Sequence, residues 1–229
     1  MNSLPAAGDG IAATVSYLMS EQKCLAKAGW GYIAAYLIVA TAPYVYLDLF
    51  AYTEDGLYAL AGLVLWGLGY VLFVGLMRVG GHLGGGMRTG IGTYFVLGIA
   101  VGVPVFIGLF ALVVPGLYLL ARWLPAYSRA LVSDEGIGAA MRWSWDKTAP
   151  FAWPLALSVL LPLVGYAASL GMMFGYEASP DSFSDTSYTT AVIVWNGVLS
   201  VGMAWLTVAG IAGYGMLVRQ EGGVGDVFR

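Results

Sequence analysis

The chain has 229 residues, 59% of them hydrophobic and 10% charged, with a formal net charge of −3 and a mean hydropathy of +0.79. A soluble domain coats its surface with about 25% charged residues, so a water-exposed globule is excluded. The acidic balance, without a basic cluster, also excludes a nucleic-acid binder. Uncharged blocks follow Lys27 (20 residues), Asp55 (22), Arg88 (33), Lys147 (29) and Asp185 (33). A bilayer core takes about 20 residues of helix, so the expected class is an all-α polytopic transmembrane bundle. A transmembrane β-barrel would need strands of about ten residues with alternating polarity. The run "GLVLWGLGYVLFVGL" at Gly62–Leu76 does not alternate, and backbone groups in lipid must be paired within their own segment.

From the N-terminus, residues 1–28 read as a cytoplasmic or interfacial amphipathic segment. Ile11, Val15, Leu18, Met19 and Leu25 lie on one side, with Ser16, Glu21, Gln22 and Lys23 mostly elsewhere. Such a helix either rests on the inner leaflet or packs on the bundle. Lys23 and Lys27 ahead of an apolar run, with "ATA" at Ala40–Ala42, resemble a signal peptide. Pro43 directly after the cut is unfavourable, so an uncleaved first span is expected. The six-helix transmembrane domain covers 29–218, and 219–229 form a cytoplasmic tail. Its spans are expected near Gly29–Leu47, Gly56–Met77, Gly90–Val113, Leu117–Val132, Ala149–Tyr176 and Thr189–Val218. The block after Arg88 would make about 50 Å of helix at 1.5 Å per residue, too long for one crossing. Pro115-Gly116 is therefore expected to turn it back as a hairpin between spans 3 and 4.

Basic loops stay in the cytoplasm. With both termini inside, Lys23, Lys27, Arg78, Arg88, Arg142, Lys147, Arg219 and Arg229 are all cytoplasmic, and the loops at 48–55 and 177–188 carry six acids and no base outside. Gly98-x-x-x-Gly102 and Gly171-x-x-x-Gly175 are expected to let helices approach closely inside the monomer, or otherwise at a homodimer interface.

Arg122 and Arg129 stand inside the fourth apolar segment, seven residues apart and so on nearly one helix face. Three readings are open: anchors that snorkel to the two leaflets, partners of carbonyls or acids within the bundle, or a site for an anionic ligand or lipid phosphate. Beyond them, Ser133 is placed to cap a helix whose positive end meets Asp134 and Glu135. Trp143 and Trp145 suit the membrane interface, and Arg142 and Lys147 suit anionic headgroups on the cytoplasmic side.

Pro115-Gly116, Arg122, Glu135-Gly136 and Ala140-x-Arg142-x-Ser144-Trp145 follow one another over about residues 90–150. This order resembles the membrane-domain family associated with glycerophosphoryl diester phosphodiesterases, together with the related YciC-like bacterial inner-membrane proteins. The resemblance implies six helices in the bacterial inner membrane. It does not imply diesterase activity, because the chain has no room for the separate soluble domain, with its metal-binding acids and histidines, that the hydrolysis needs.

No catalytic constellation is legible. His82 is the sole histidine and Cys24 the sole cysteine, so a His-based metal site, a triad with a second histidine and an intrachain disulfide are all excluded. The loop at Arg78–Gly90 lacks the Gly-Lys-Ser/Thr ending of a phosphate-binding loop and reads as a cytoplasmic connector. Glu177, Asp181 and Asp185 read as a solvated loop rather than as ligands for a hard cation. Carboxylates are absent from the apolar blocks, which disfavours ion-coupled transport. The expectation is a non-enzymatic protein without a cofactor. It would serve as a scaffold or accessory subunit in envelope or lipid homeostasis, with membrane lipids and another membrane protein or a second copy as partners. A small transporter or permease-like component for a hydrophobic or anionic molecule is the alternative.

Overall fold

The computed structural model describes residues 4–6, 8–51, 55–83, 90–133, 135–178 and 184–227. Among them there is no strand. The helices are α1 (Ile11–Ala28), α2 (Trp30–Phe50), α3 (Asp55–Val79), α4 (Ile91–Ala111), α5 (Val113–Trp123), α6 (Ala126–Val132) and α7 (Ile137–Thr148). A single 3₁₀ turn at Ala149–Phe151 follows, then α8 (Ala152–Ser158), α9 (Leu160–Ala178) and α10 (Asp185–Val227).

Four of these stretches are long and apolar enough to cross a membrane: Trp30–Phe50, Asp55–Val79, Ile91–Leu109 and Thr186–Gly222. A fifth is added if Ile137–Ser158 and Pro162–Tyr176, bent by 50°, count as one span. Large apolar side chains face outward along them, among them Ile38, Phe50 and Phe106, each about 70% exposed. Water would reject such a surface, and a lipid environment accepts it.

Contacts divide the chain into two compact units. Unit 1 comprises Met1–Gly29, Phe73–Val159 and Thr207–Arg229, and unit 2 comprises Trp30–Leu72 and Leu160–Leu206. Within unit 1, α4 and α5 pack along one another. The chain turns back between them: Tyr94 near the start of α4 meets Tyr127 of α6 with ring centroids 5.6 Å apart, and both rings lie against Phe73.

The corner lies at Leu112, which is extended at φ −155°, ψ 121°. Pro115 and Gly116 instead stand in the first turn of α5. A proline clashes with the carbonyl four residues before it, here that of Ala111, so the helix ends there and the turn precedes the proline. Gly116 is needed for the packing: a Cβ on it would lie 2.3 Å from the Leu109 nitrogen, and one on Gly108 would lie 2.9 Å from the Gly116 Cα.

The return segment is not one short helix. Pro125 is the N-cap of α6 and separates it from α5, leaving pieces of 11 and 7 residues. The 149–176 segment is similarly interrupted. Val159 leaves helical geometry at φ −108°, ψ 0°, because Pro162 has no N–H to give the Ser158 carbonyl.

Two other expectations are corrected. The buried face of α1 is Thr14, Tyr17, Leu18, Gln22 and Leu25, and α1 packs against α8. Gln22, assigned from the pattern to the polar side, has no exposure, while Ile11 is half exposed. Gly102, Gly171 and Gly175 also do not close helix contacts among the described residues, since a Cβ on any of them would meet nothing within 4 Å.

Candidate functional site

Arg122 lies at the end of α5 with only 4% of its surface exposed. Its guanidinium lies over the Trp145 ring, 4.2 Å from the centroid, and over Tyr118 at 5.5 Å. One terminal nitrogen donates to the Trp145 carbonyl, and the other donates to the Tyr118 hydroxyl at 3.3 Å. Tyr118 is four residues before Arg122 on the same helix face, so this contact was legible in the spacing.

The backbone closes the same joint from the other side. Ser144 Oγ donates to the Arg122 carbonyl at 2.7 Å, and Thr148 Oγ1 approaches it at 3.3 Å while donating to the Ser144 carbonyl at 2.6 Å. Ala140, Ser144 and Thr148 form the buried stripe of α7, three small residues spaced by four that let α5 come close. Arg122 thus braces α5 against α7 from the interior rather than reaching for headgroups. Its cation is stabilised by two ring faces and a carbonyl in low dielectric.

Arg129, in α6, forms a bidentate pair with Glu135 at 2.9 and 3.2 Å and lies 5.1 Å from the Trp143 ring centroid. Ser133 does not cap α7, whose N-cap is Gly136 without a side-chain bond. It donates instead to the Arg129 carbonyl at 2.8 Å and closes the end of α6. Asp134 lies outside the described residues. Lys147 pairs with Glu221 at 2.9 Å, and Trp143 Nε1 donates to the same carboxylate oxygen at 3.1 Å. Glu221 was overlooked because it sits in a tail that spacing alone cannot fold back. Arg142 is exposed and has no partner among the described residues.

Further along unit 1, Arg219 pairs with Glu21 of α1 and donates to the Gly215 carbonyl at 3.1 Å. His82 packs edge-on against Tyr214, with centroids 5.4 Å apart. Burial and the nearby Arg219 cation hold its imidazole below the ordinary value of 6.5, with Glu21 opposing. Residues 84–89 of its loop lie outside the described residues, as do Asp181 and the side chains of Glu177 and Asp185. Among the described residues, no group of three or more metal-ligating side chains converges.

Unit 2 holds a second polar cluster that the sequence reading missed. Asp48, in the last turn of α2, accepts hydrogen bonds from Tyr58 (2.7 Å), Trp195 Nε1 (3.0 Å) and Asn196 Nδ2 (2.8 Å). Its carbonyl accepts the Tyr188 hydroxyl at 2.9 Å. Asn196, an amide within an otherwise apolar block and 6% exposed, was the available signal.

Comparison of the chain with family models, curated proteins and solved structures finds no match. The apolar helices and their outward-facing side chains define the class: an integral, multi-pass helical membrane protein.

Proposed function

We propose that this chain is a non-enzymatic bacterial inner-membrane protein of the glycerophosphodiesterase membrane-domain and YciC-like type. It serves as a scaffold or accessory subunit in envelope or lipid homeostasis. Six crossings with both termini in the cytoplasm fit the basic-loop rule, the α4–α5 turn supplying the third and fourth.

The observation that carries the scaffold reading is the engagement of Arg122 by Trp145 and Tyr118. The cation most able to attract an anionic substrate within the apolar segments is already occupied in building the fold. A transporter would need Arg122 or Arg129 open to a water-filled path, and 4% exposure at Arg122 speaks against it. The exposed Arg142, Lys23, Lys27 and Arg78 remain for anionic headgroups or a partner.

Extraction in native-lipid particles is expected to yield the protein with a defined partner or a retained lipid. A monomer carrying neither overturns the reading. Cysteine substitution at Arg129 with water-soluble labelling is expected to give no substrate-protectable reaction, and protection by a small anion would favour transport. A reporter inserted in the 84–89 connector is expected on the cytoplasmic side.

A further inference from the structure

We propose that unit 2 binds a phospholipid with an ammonium headgroup, its nitrogen on the Asp48 carboxylate and an acyl chain in the groove between α2 and α3. The proposal needs only a lipid-embedded unit 2 and is independent of the scaffold reading.

Three observations meet at this place. The first is charge. Unit 2 contains no Lys, Arg or His, so nothing within it balances Asp48. Ion pairs among the described residues join Arg129 to Glu135, Lys147 to Glu221 and Arg219 to Glu21, and none engages Asp48. A carboxylate offers about four lone-pair positions, and Tyr58, Trp195 and Asn196, all neutral donors, fill three. One acceptor position is left on a half-buried anion, where an external cation is strongly favoured over none.

The second is the aromatic surround. Tyr176 stacks on Tyr188 with centroids 4.1 Å apart, and both rings adjoin Trp195 at 6.4 and 6.2 Å. Tyr58 completes the set, 6.4 Å from Tyr44. Ring faces attract ammonium groups, and the O–H of Tyr58 and N–H of Trp195 tie this aromatic cluster to the Asp48 carboxylate.

The third is the groove. A cavity of about 350 Å³ is open along α2 and α3 and lined by apolar side chains such as Val39, Pro43, Leu47, Leu60 and Val64. Tyr44 lines it too and connects it to Tyr58 and so to Asp48. An acyl chain gains little from leaving other lipid tails for such a groove, because both are equally apolar. The groove therefore positions the lipid and the headgroup selects it.

Native mass spectrometry of the full chain in mild detergent, mixed with equal amounts of phosphatidylethanolamine, phosphatidylcholine and phosphatidylglycerol of identical chains, tests the proposal. The wild type is expected to retain phosphatidylethanolamine over phosphatidylglycerol by about tenfold, the scale of one charge-assisted contact, with phosphatidylcholine, whose nitrogen carries the charge but no N–H, between the two. Asp48→Asn should bring the ratio to within about twofold. Val64→Trp, which fills the groove without touching Asp48, should lower retention of all three lipids. If Asp48→Asn fails to fold, the wild-type ratio and the Val64→Trp result decide. Equal retention of phosphatidylglycerol by the wild type, or a preserved preference in Asp48→Asn, overturns the proposal. So does free phosphoethanolamine competing as well as the lipid, since the ligand would then be water-borne.

Discussion

The two units treat charge in opposite ways. Unit 1 contains every lysine and arginine of the chain, its one histidine and seven of its thirteen acids, whereas unit 2 contains the other six acids and no base. Unit 1 pairs three of its cations with carboxylates, Arg129 with Glu135, Lys147 with Glu221 and Arg219 with Glu21, and holds a fourth, Arg122, on rings and a carbonyl. Unit 2 surrounds Asp48 with neutral N–H and O–H donors. Pairing completes a charged group's needs, while neutral donors stabilise an anion without cancelling it. Unit 1 thus carries the ion pairs found among the described residues, while Asp48 of unit 2 is met by neutral donors.

The sharpest way to break this contrast is through glycine. Gly116→Val drives a side chain into the Leu109 backbone and is expected to cost about 3 kcal/mol or more, read as loss of folded protein in detergent. The matching change in unit 2, Gly175→Ala, meets open space and should stay within about 0.5 kcal/mol of neutral or stabilise slightly. Equal effects would mean that the close approach of Gly116 to Leu109 does not hold α5 against α4.

Next in size is Arg122→Met. It removes a hydrogen bond to the Trp145 carbonyl and the ring contacts, and should cost about 2–3 kcal/mol in a denaturant titration. Arg122→Lys should recover little, because a point charge cannot lie flat on Trp145 while donating sideways. Full recovery by lysine would mean that charge alone, not the planar fork, makes the joint.

Gln22 works in the other direction. Its side chain is fully buried in unit 1, and neither amide atom has a hydrogen-bond partner among the described residues. Gln22→Met keeps the shape and removes the unpaired polar group, so thermal unfolding should show a gain of about 1–2 kcal/mol. A loss would identify a polar requirement at this position.

The smallest effect concerns pH. Above the ordinary imidazole value of 6.5, His82 is neutral whether folded or unfolded and contributes no pH dependence. As pH falls from 6.5 through the lower folded value, the unfolded chain takes up a proton that the folded one resists, so stability falls. His82→Phe should flatten the melting temperature of unit 1 across that window, and an unchanged slope would assign it to other groups.

Much of the fold was legible in the pattern of charges. Uncharged runs located α2, α3 and α4 to within a few residues, because a helix that must satisfy its own backbone in lipid tolerates few ionised groups; α10 was located at its start but continues to Val227, through the segment expected to be a tail. Prolines were legible as breaks but not as positions. Pro115 ends the helix four residues before itself, so the corner fell at Leu112, and Pro125 and Pro162 split segments that hydropathy alone would join. The site was less legible. Arg122 and Arg129 stood out as charges in an apolar run, yet spacing on one helix cannot say whether the partner is a headgroup or a tryptophan 23 residues on. Asp48 was read as the start of a loop, since its donors Trp195 and Asn196 lie 147 and 148 residues away.

By itself, then, the sequence determined the medium and the helical class of the fold. The transfer free energy of long apolar runs and the hydrogen-bonding demands of their backbone are local quantities that composition already contains. Only the tertiary structure decided which charges are satisfied and which are not. That depends on groups far apart in the chain coming within 3 Å of one another, a matter of packing that no one-dimensional pattern specifies.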